Sequence, residues 1–193
     1  MLEGASRLPT LETERLTIRW LEDRDVPRLF AIFSHPEVMR YWSSPPLTDV
    51  SGAEELLREI RQFFEARTLF QWGIALKEDD RVIGTCTLSS LSAEHRRGEI
   101  GYALGRAWWG KGYMAEALPT LLRFAFGPLN LHRIEADVDP RNLSSLRSVE
   151  SLGFRREGYL RERYFVSGDI QDSVIYGLLR TEAFQDGAPS GIS

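Results

Sequence analysis

The chain has 193 residues, of which 42% are apolar and 27% are charged, as expected for one soluble globular domain with its own core. Its formal net charge of −4 argues against direct nucleic-acid binding. A single cysteine, Cys86, excludes an internal disulfide framework and a cysteine metal cluster. The sequence has no long apolar run for a membrane and no signal-peptide core, so we expect a cytoplasmic, reducing location.

The first third of the chain predicts one strand and two helices. Alternating polar and apolar residues over 16–20 predict the first strand. Apolar residues at helical spacing predict helices over residues 26–33 and about 50–67, with Asp23 or Asp25 as the cap of the first helix.

Strands and helices mix along the rest of the chain, with no internal repeat and no linker. Helices are predicted from Tyr113 to the stop at residues 127–128, and from Asn142 through Ser151. Gly153 should end the last helix in the left-handed conformation. The predicted strands span residues 70–76, 81–88, 99–104, 133–138, 155–166 and 172–179.

These elements predict a single mixed α/β domain. It should span residues 10–183, and residues 1–9 and 184–193 are expected to be flexible tails. A loop is predicted over residues 89–97, immediately before the central strand.

The segment 101–118 predicts a strand, a glycine loop and the start of a helix. Gly110 and Gly112 allow backbone angles that a residue with a Cβ resists. The N-terminus of the following helix presents unpaired N–H groups and the positive end of the helix dipole, and Lys111 adds a positive charge. The segment therefore predicts an anion site, for which a phosphate or pyrophosphate is the usual ligand.

Two nucleotide-binding patterns match this loop in part. The P-loop pattern fits from Gly105 to Lys111, but Gly112 stands where a hydroxyl must hold Mg²⁺. The dinucleotide fingerprint Gly-x-Gly-x-x-Ala matches residues 110–115, but it requires a repeated parallel βαβ array that the chain before residue 100 does not predict. The second match leaves an NAD-binding oxidoreductase as an alternative function.

A third family matches a longer string. Residues 109–117, Trp-Gly-Lys-Gly-Tyr-Met-Ala-Glu-Ala, resemble the pyrophosphate loop of the GNAT N-acetyltransferases, and most of all their RimJ/RimL branch. The resemblance extends to residues 14–19, to residues 99–102 and through residues 142–154, and several motifs in order are more specific than one. Ala107 departs from the wider family, which often has Gln or Arg there.

This resemblance implies a GNAT fold, with a mostly antiparallel central sheet of about six or seven strands flanked by helices. It also implies direct acetyl transfer from acetyl-CoA to a primary amine in a ternary complex, without a metal, and the branch suggests a homodimer. RimJ and RimL suggest a protein N-terminal α-amine as acceptor, whereas other branch members suggest a polyamine, an amino acid or an antibiotic. A non-catalytic CoA-binding module is a further alternative.

The same resemblance implies the cofactor contacts. Backbone groups of Tyr102, Ala103 and Leu104 are expected to hold the pantetheine arm like an added strand. Asn142 is expected to contact cofactor amides, and Ser145 is a further candidate contact. The expected pyrophosphate-loop residues are Trp109, Gly110, Lys111, Gly112, Tyr113, Met114 and Ala115.

Acetyl transfer needs a base, because an α-amine has a pKa of ~8 and a lysine one of ~10. Glu99 is the candidate base. The structural alternative is an ion pair between Glu99 and Arg96 or Arg97. Asp172 is a rival carboxylate.

The leaving thiol, with a pKa of ~8.5, gains modestly from a proton donor. Many GNAT enzymes carry a tyrosine at the position of Val149, which cannot donate a proton. Ser145 is therefore the candidate donor, with helix capping or pantetheine binding as its alternative role. Trp42 and Asp172 are candidates for the acceptor cleft, and Trp42 is equally suited to fill the core. Cys86 should be a small buried hydrophobe, which favours direct transfer over an acyl-cysteine.

Overall fold

An eight-stranded sheet forms the centre of this computed structural model, which describes residue 2 and residues 4–183. The predicted C-terminal tail lies outside the described residues. The strands are β1 (Leu11–Glu12), β2 (Leu16–Arg19), β3 (Phe70–Leu76), β4 (Val82–Ser92), β5 (Arg97–Leu104), β6 (Arg133–Val138), β7 (Arg155–Val166) and β8 (Asp169–Leu179). Five α-helices accompany them in the described chain: α1 (Val26–Phe33), α2 (Pro36–Met39), α3 (Val50–Glu65), α4 (Tyr113–Phe126) and α5 (Leu143–Ser151).

The strand order is β1-β2-β3-β4-β5-β6-β8-β7, and every neighbouring pair except β5 and β6 is antiparallel. The mostly antiparallel, helix-flanked sheet predicted from the sequence is thus confirmed. The predicted number of six or seven strands was too low. The two-residue strand β1, which pairs with β2, was not predicted because two residues carry no periodicity.

Most predicted elements are found, and the differences lie at their ends. Strand β4 continues to Ser92 through a register shift against β5, where a loop was predicted over 89–97. Strand β8 begins at Asp169 rather than at residue 172, and α3 ends at Glu65. The short helix α2 forms within a stretch that carries no helical spacing, because Pro36 occupies its first turn.

The sheet separates two apolar cores. One contains α4 and α5 with apolar side chains from most strands, including Trp72, Leu118 and Val149. The other contains α1 and α3 and includes Leu29 and Leu57. Strand β3 is buried along its whole length because both cores cover it. Residues of the central strands are therefore fixed in position by packing from both sides.

Near the N-terminus, residues predicted as a flexible lead-in contact the folded domain. Leu8 is only 2% exposed, and the Trp72 indole donates a hydrogen bond of 2.9 Å to the carbonyl oxygen of Pro9. The Arg67 guanidinium donates to the Ala5 carbonyl at 2.7 Å. The flexibility of this segment stays a prediction, but these contacts anchor its second half.

Asp25, predicted as a possible helix cap, has a different role. Its carboxylate accepts two hydrogen bonds from the Arg19 guanidinium, at 2.8 and 3.0 Å, and one from the backbone of Glu22. The side chain makes no cap bond to α1. Asp25 occupies the N-cap position of α1, as predicted, but a buried arginine on β2 binds the carboxylate that would have capped the helix.

The parallel pair β5–β6 is short, and this feature positions the site. Pairing runs only from Arg97 opposite Arg133 to Glu99 opposite Glu135. Beyond Glu99, β5 stays with β4 up to Leu104, whereas β6 stays with β8. The two strands therefore diverge in the middle of the sheet and leave a gap that reaches towards α5.

Candidate functional site

A cavity of about 180 Å³ lies where β5 and β6 diverge. In the described part of the chain its lining includes four carboxylates and no lysine or arginine. Arg163 and Arg141 pair with Asp137 and Asp139 at 2.8 and 2.7 Å, so Glu99 and Asp172 are the two lining carboxylates without an ion pair in the described chain. They leave the cavity suited to a cationic ligand. The lining residues are Tyr41, Trp42, Ser43, Glu99, Ile100, Gly101, Tyr102, Ala136, Asp137, Val138, Asp139, Asn142, Ser145, Tyr164, Gln171, Asp172 and Ser173.

Glu99 is the last residue of β5 that pairs with β6, so its backbone is fixed at the point where the strands part. The ion pair considered from the sequence is not formed. Arg97 instead bonds Glu135 at 3.3 Å, and Arg96 donates to Asn130. Among the described residues, no hydrogen bond or ion pair engages the Glu99 carboxylate.

The environment of Glu99 favours its protonated form. Burial raises the pKa of the Glu99 carboxyl, and the nearby carboxylates of Asp137 and Glu135 raise it further. Arg163 and Arg97 oppose this shift but do not cancel it. A carboxyl group whose pKa lies above its ordinary value is better matched to taking a proton from an amine near neutral pH.

Asp137, on the cavity wall, is held by three side chains of β7 and β8. Arg163 contacts its carboxylate at 2.8 Å, the Tyr164 hydroxyl donates at 2.9 Å, and the Ser173 hydroxyl donates at 2.5 Å. These partners fix the Asp137 side chain in place on the cavity wall. Asp137 was not proposed as a site residue from the sequence, although the alternation of Glu135 and Asp137 along β6 is a signal that places both on one face.

Asp172 also lines the cavity, but its carboxylate is engaged with β7. One oxygen accepts the Tyr159 hydroxyl, and the other accepts the backbone N–H of Glu162 at 2.7 Å. These bonds hold the pKa of Asp172 below its ordinary value. Glu162 has a positive φ of 54° within a register shift of the β7–β8 pair. The hydrogen bonds to Asp172 therefore stabilise an irregular part of β7.

On the opposite wall, Asn142, Ser145 and Tyr102 meet at the start of α5. Asn142 is the N-cap residue, and its side-chain oxygen accepts the Ser145 backbone N–H at 3.1 Å. The Ser145 hydroxyl lies 2.7 Å from the Tyr102 hydroxyl. Val149, one turn further along the helix, is 0% exposed and lies in the core.

Trp42 and Tyr41 border the cavity from the segment after α2. The Trp42 ring also packs edge-on against Phe33, with 5.4 Å between ring centroids. Trp42 therefore packs against the core and also borders the cavity, and its contact with an acceptor stays a prediction.

The glycine loop joins β5 to α4. Gly110 and Gly112 have φ values of +73° and +78°, which a residue with a Cβ adopts only under strain. Gly112 is the N-cap residue of α4. Within the described chain, the backbone N–H groups of residues 110–115 have no protein acceptor, so six donors remain for an anion at the helix N-terminus.

The side chains of this loop are packed rather than extended. The Lys111 ammonium lies 4.8 Å from the centre of the Trp108 ring. The Trp109 indole donates a 2.6 Å hydrogen bond to the Leu104 carbonyl, while Arg106 covers its ring. The Leu104 carbonyl, a candidate pantetheine contact, thus already has one donor, although a carbonyl oxygen can accept two.

Six of the sequence-predicted site residues line one cavity, and the others lie along the strand and loop that lead away from it. Those at the cavity are Trp42, Glu99, Tyr102, Asn142, Ser145 and Asp172. Those on the strand and loop are Ala103, Leu104, Trp109, Gly110, Lys111, Gly112, Tyr113, Met114 and Ala115.

Comparison with known proteins identifies the family. The sequence pattern of the acetyltransferase (GNAT) domain matches residues 15–155. The chain belongs to the GNAT family of N-acetyltransferases. It is 41% identical over 175 residues to the uncharacterised N-acetyltransferase p20 of Bacillus licheniformis, covering 91% of this chain and 98% of p20.

Two further GNAT relatives carry named acceptors. The [ribosomal protein uS5]-alanine N-acetyltransferase of Escherichia coli is 30% identical over 175 residues, covering 87% of this chain and 89% of that enzyme. The crystal structure of spermidine N-acetyltransferase from Vibrio cholerae, in complex with CoA and spermine, superposes with a TM-score of 0.78 at 26% identity, covering 87% of this chain and 97% of that one.

These comparisons make the protein an N-acetyltransferase of the RimJ-like part of the GNAT family, whose enzymes use acetyl-CoA. Across residues 4–183 no group of three or more His, Cys, Asp or Glu side chains is placed to hold a metal ion. No described helix has both the length and the apolar character that crossing a membrane requires.

Proposed function

We propose that this enzyme transfers the acetyl group of acetyl-CoA directly to a primary amine, with the N-terminal α-amine of a protein or peptide as the first candidate. The observation that carries the proposal is the Glu99 carboxylate. It has no partner among the described residues, and it lies in an acidic cavity at the start of the gap between β5 and β6.

The loop and the gap fit acetyl-CoA in two ways. The six N–H donors of residues 110–115 suit its pyrophosphate, because they lie at and just before the N-terminus of α4 and have no acceptor within the described chain. The edge of β5 from Tyr102 to Leu104 has no β6 partner, so its backbone can pair with the amide groups of the pantetheine arm as an added strand would. Asn142, at the far side of the gap, can contact the same arm.

The proton transfers are assigned to two sides of the cavity. Glu99 takes a proton from the acceptor amine, directly or through water, because its raised pKa suits this exchange. Ser145 gives a proton to the departing sulfur. Trp42 and Asp172 border the acceptor, and the acidic lining attracts its ammonium form before deprotonation.

The relatives support two acceptor classes. The E. coli relative acts on a ribosomal-protein alanine, which favours a peptide α-amine. Glu99 and Asp172, the two lining carboxylates with no ion pair in the described chain, also suit an acceptor with more than one positive charge, such as the polyamine of the V. cholerae neighbour. A free amino acid fits less well, because its carboxylate would face the acidic wall.

Release of free CoA from acetyl-CoA tests the proposal against two acceptor panels. One contains peptides that begin with Ser, Ala or Thr, each with an N-terminally blocked control. The other contains polyamines, amino acids and aminoglycosides. Release with open but not blocked peptides supports the α-amine, and release only with polyamines selects the second acceptor class. Acetyl-CoA binding without CoA release on either panel would contradict the proposal.

A further inference from the structure

Two hydroxyl groups meet across the gap between β5 and α5. The Tyr102 phenol oxygen lies 2.7 Å from Ser145 Oγ, and both residues line the cavity that contains Glu99. Tyr102 stands on the part of β5 that has lost its β6 partner. The contact therefore lies beside the strand edge proposed to hold the pantetheine arm, near the end of that arm which carries the sulfur.

The position of Ser145 leaves its hydroxyl able to donate a hydrogen bond into the cavity. Its backbone N–H donates to the Asn142 side chain at 3.1 Å, which fixes the first turn of α5. A serine hydroxyl can donate one hydrogen bond and accept two. Ser145 can therefore accept the Tyr102 hydrogen and still donate its own hydrogen into the cavity.

The two residues complement each other chemically. A phenol, with an ordinary pKa of ~10, is a far stronger acid than an aliphatic hydroxyl. Burial raises the pKa of Tyr102, although the Ser145 and Ser148 hydroxyls beside it oppose the shift, so the phenol keeps its proton at neutral pH. Val149 is buried, and its side chain has no acidic proton. The hydroxyl groups of Ser145 and Tyr102 are therefore the candidate proton donors at the gap.

We propose that Tyr102 acts through Ser145 as the source of the proton that the departing thiolate receives. The inference rests on the proposed acetyl transfer. As the carbon–sulfur bond breaks and its electron pair moves to sulfur, Ser145 gives its hydroxyl proton to the sulfur and takes the Tyr102 proton. Both protons that the amine nitrogen loses leave through Glu99 to water, and one proton returns from water to the phenolate.

Kinetics of Tyr102→Phe, Ser145→Ala and the double variant test this relay. Each single variant should lower kcat roughly tenfold and change KM for acetyl-CoA less than twofold. The double variant should be no slower than Ser145→Ala, because the phenol acts only through the serine. Full kcat in Tyr102→Phe, or losses that multiply in the double variant, would overturn the proposal.

Tyr176→Phe is the matched control. The Tyr176 hydroxyl also bonds to α5, at 2.7 Å from Glu150, but Tyr176 does not line the cavity. Removing it loosens α5 without touching the relay, so kcat should stay within twofold of wild type. An equal loss of kcat in Tyr176→Phe and Tyr102→Phe would show that loosening of α5, and not loss of a proton donor, lowers kcat, and would overturn the relay.

A titration without any acceptor gives an independent readout. Free CoA is bound to each variant, and the ultraviolet absorbance of its thiolate is followed against pH. The Ser145 hydroxyl that donates to the sulfur stabilises the thiolate, so the pKa of the bound thiol should be higher in Ser145→Ala than in wild type. In Tyr102→Phe, where Ser145 still donates but has lost the phenol behind it, the pKa should rise by a smaller amount. A bound-thiol pKa that is unchanged in either variant would overturn the relay. This titration decides the relay even if no amine in the two panels is acetylated, so the two proposals fail separately.

Discussion

Arg15 and Glu116 are joined across the N-terminus of α4 although 101 residues separate them in the chain. Arg15 donates to the carboxylate twice, from its backbone N–H at 2.7 Å and from Nε at 2.6 Å. A third bond runs from the guanidinium to the Lys111 carbonyl at 3.1 Å, and the guanidinium covers the Tyr113 ring at 4.5 Å. Arg15, immediately before β2, thus stabilises the conformation of the glycine loop.

Arg15→Gln should therefore weaken acetyl-CoA binding. Loss of the loop's support should raise KM for acetyl-CoA about tenfold, equivalent to about 1.4 kcal/mol, while kcat changes little because the cavity is not touched. Arg15→Lys should recover only part of the affinity, since one ammonium cannot replace the forked contact. Arg58→Gln, which removes an exposed ion pair with Glu55 on α3, is the control. Similar KM changes in both glutamine variants would contradict the prediction.

Gly112→Val should abolish acetyl-CoA binding in a folded protein. The φ of +78° is strained for any residue with a Cβ, at about 1–3 kcal/mol, so the loop backbone should change conformation and displace the N–H groups at the start of α4. Isothermal titration with acetyl-CoA measures the loss, which we expect to exceed a hundredfold.

The matched control for this loop is Gly168→Val. Gly168 has a φ of +89° in the β7–β8 turn, and a Cβ there would have open space. Its strain is similar, but it lies away from the loop. Both variants should lose similar stability, and only Gly112→Val should lose binding. Retained binding in Gly112→Val would show that the loop is not the pyrophosphate site.

Glu99→Gln should lower kcat about a hundredfold and leave acetyl-CoA affinity intact, because it removes the base but keeps the shape of the side chain. In wild type, the acid limb of kcat/KM should lie above the ordinary range of a glutamate, since burial and the carboxylates of Asp137 and Glu135 raise the pKa of Glu99. This limb should disappear in the variant. Unchanged turnover, or an acid limb that persists, would refute the base assignment.

Local patterns in the sequence were sufficient to predict most of the fold. Helix α1 and strands β3 and β6 have the predicted bounds, because strong periodicity and clear stops coincide there. The N-cap of α5 at Asn142 and the left-handed Gly153 were likewise predicted from residue chemistry alone. Each of these features depends on neighbours within a few positions.

The side-chain partners of the carboxylates could not be predicted from the sequence. No residue near Glu99 in the chain indicates that Arg97 bonds Glu135 rather than Glu99. The engagement of Asp172 with β7 and of Asp25 with Arg19 likewise depends on residues brought close only by folding. Residue types suited to the chemistry are visible in the sequence, but only the folded arrangement shows that the Glu99 carboxylate has no partner in the described chain.

Cys86→Ala should keep kcat within about twofold of wild type. Cys86 is fully buried in β4, and burial raises the pKa of its thiol far above neutral pH, so no thiolate is available to carry an acetyl group. A cost of about 1 kcal/mol in unfolding free energy is expected from the small cavity. Loss of turnover in a folded variant, or a mass increase of one acetyl group on the wild-type cysteine, would contradict direct transfer.

Glu99 should also make the protein less stable as pH rises. Its pKa is raised in the folded state, so the folded protein holds this proton more tightly than the unfolded chain does. The destabilisation is absent below the unfolded pKa of about 4.3 and is complete above the folded pKa. Glu99→Gln is neutral at every pH, and should therefore raise the unfolding free energy relative to wild type at pH 7, with a gain that shrinks towards pH 4. Urea unfolding across this pH range measures the gain, and Glu78→Gln in an exposed turn controls for the loss of one negative charge. A gain that does not change with pH would show that packing, rather than the charge of a functional carboxylate, is responsible.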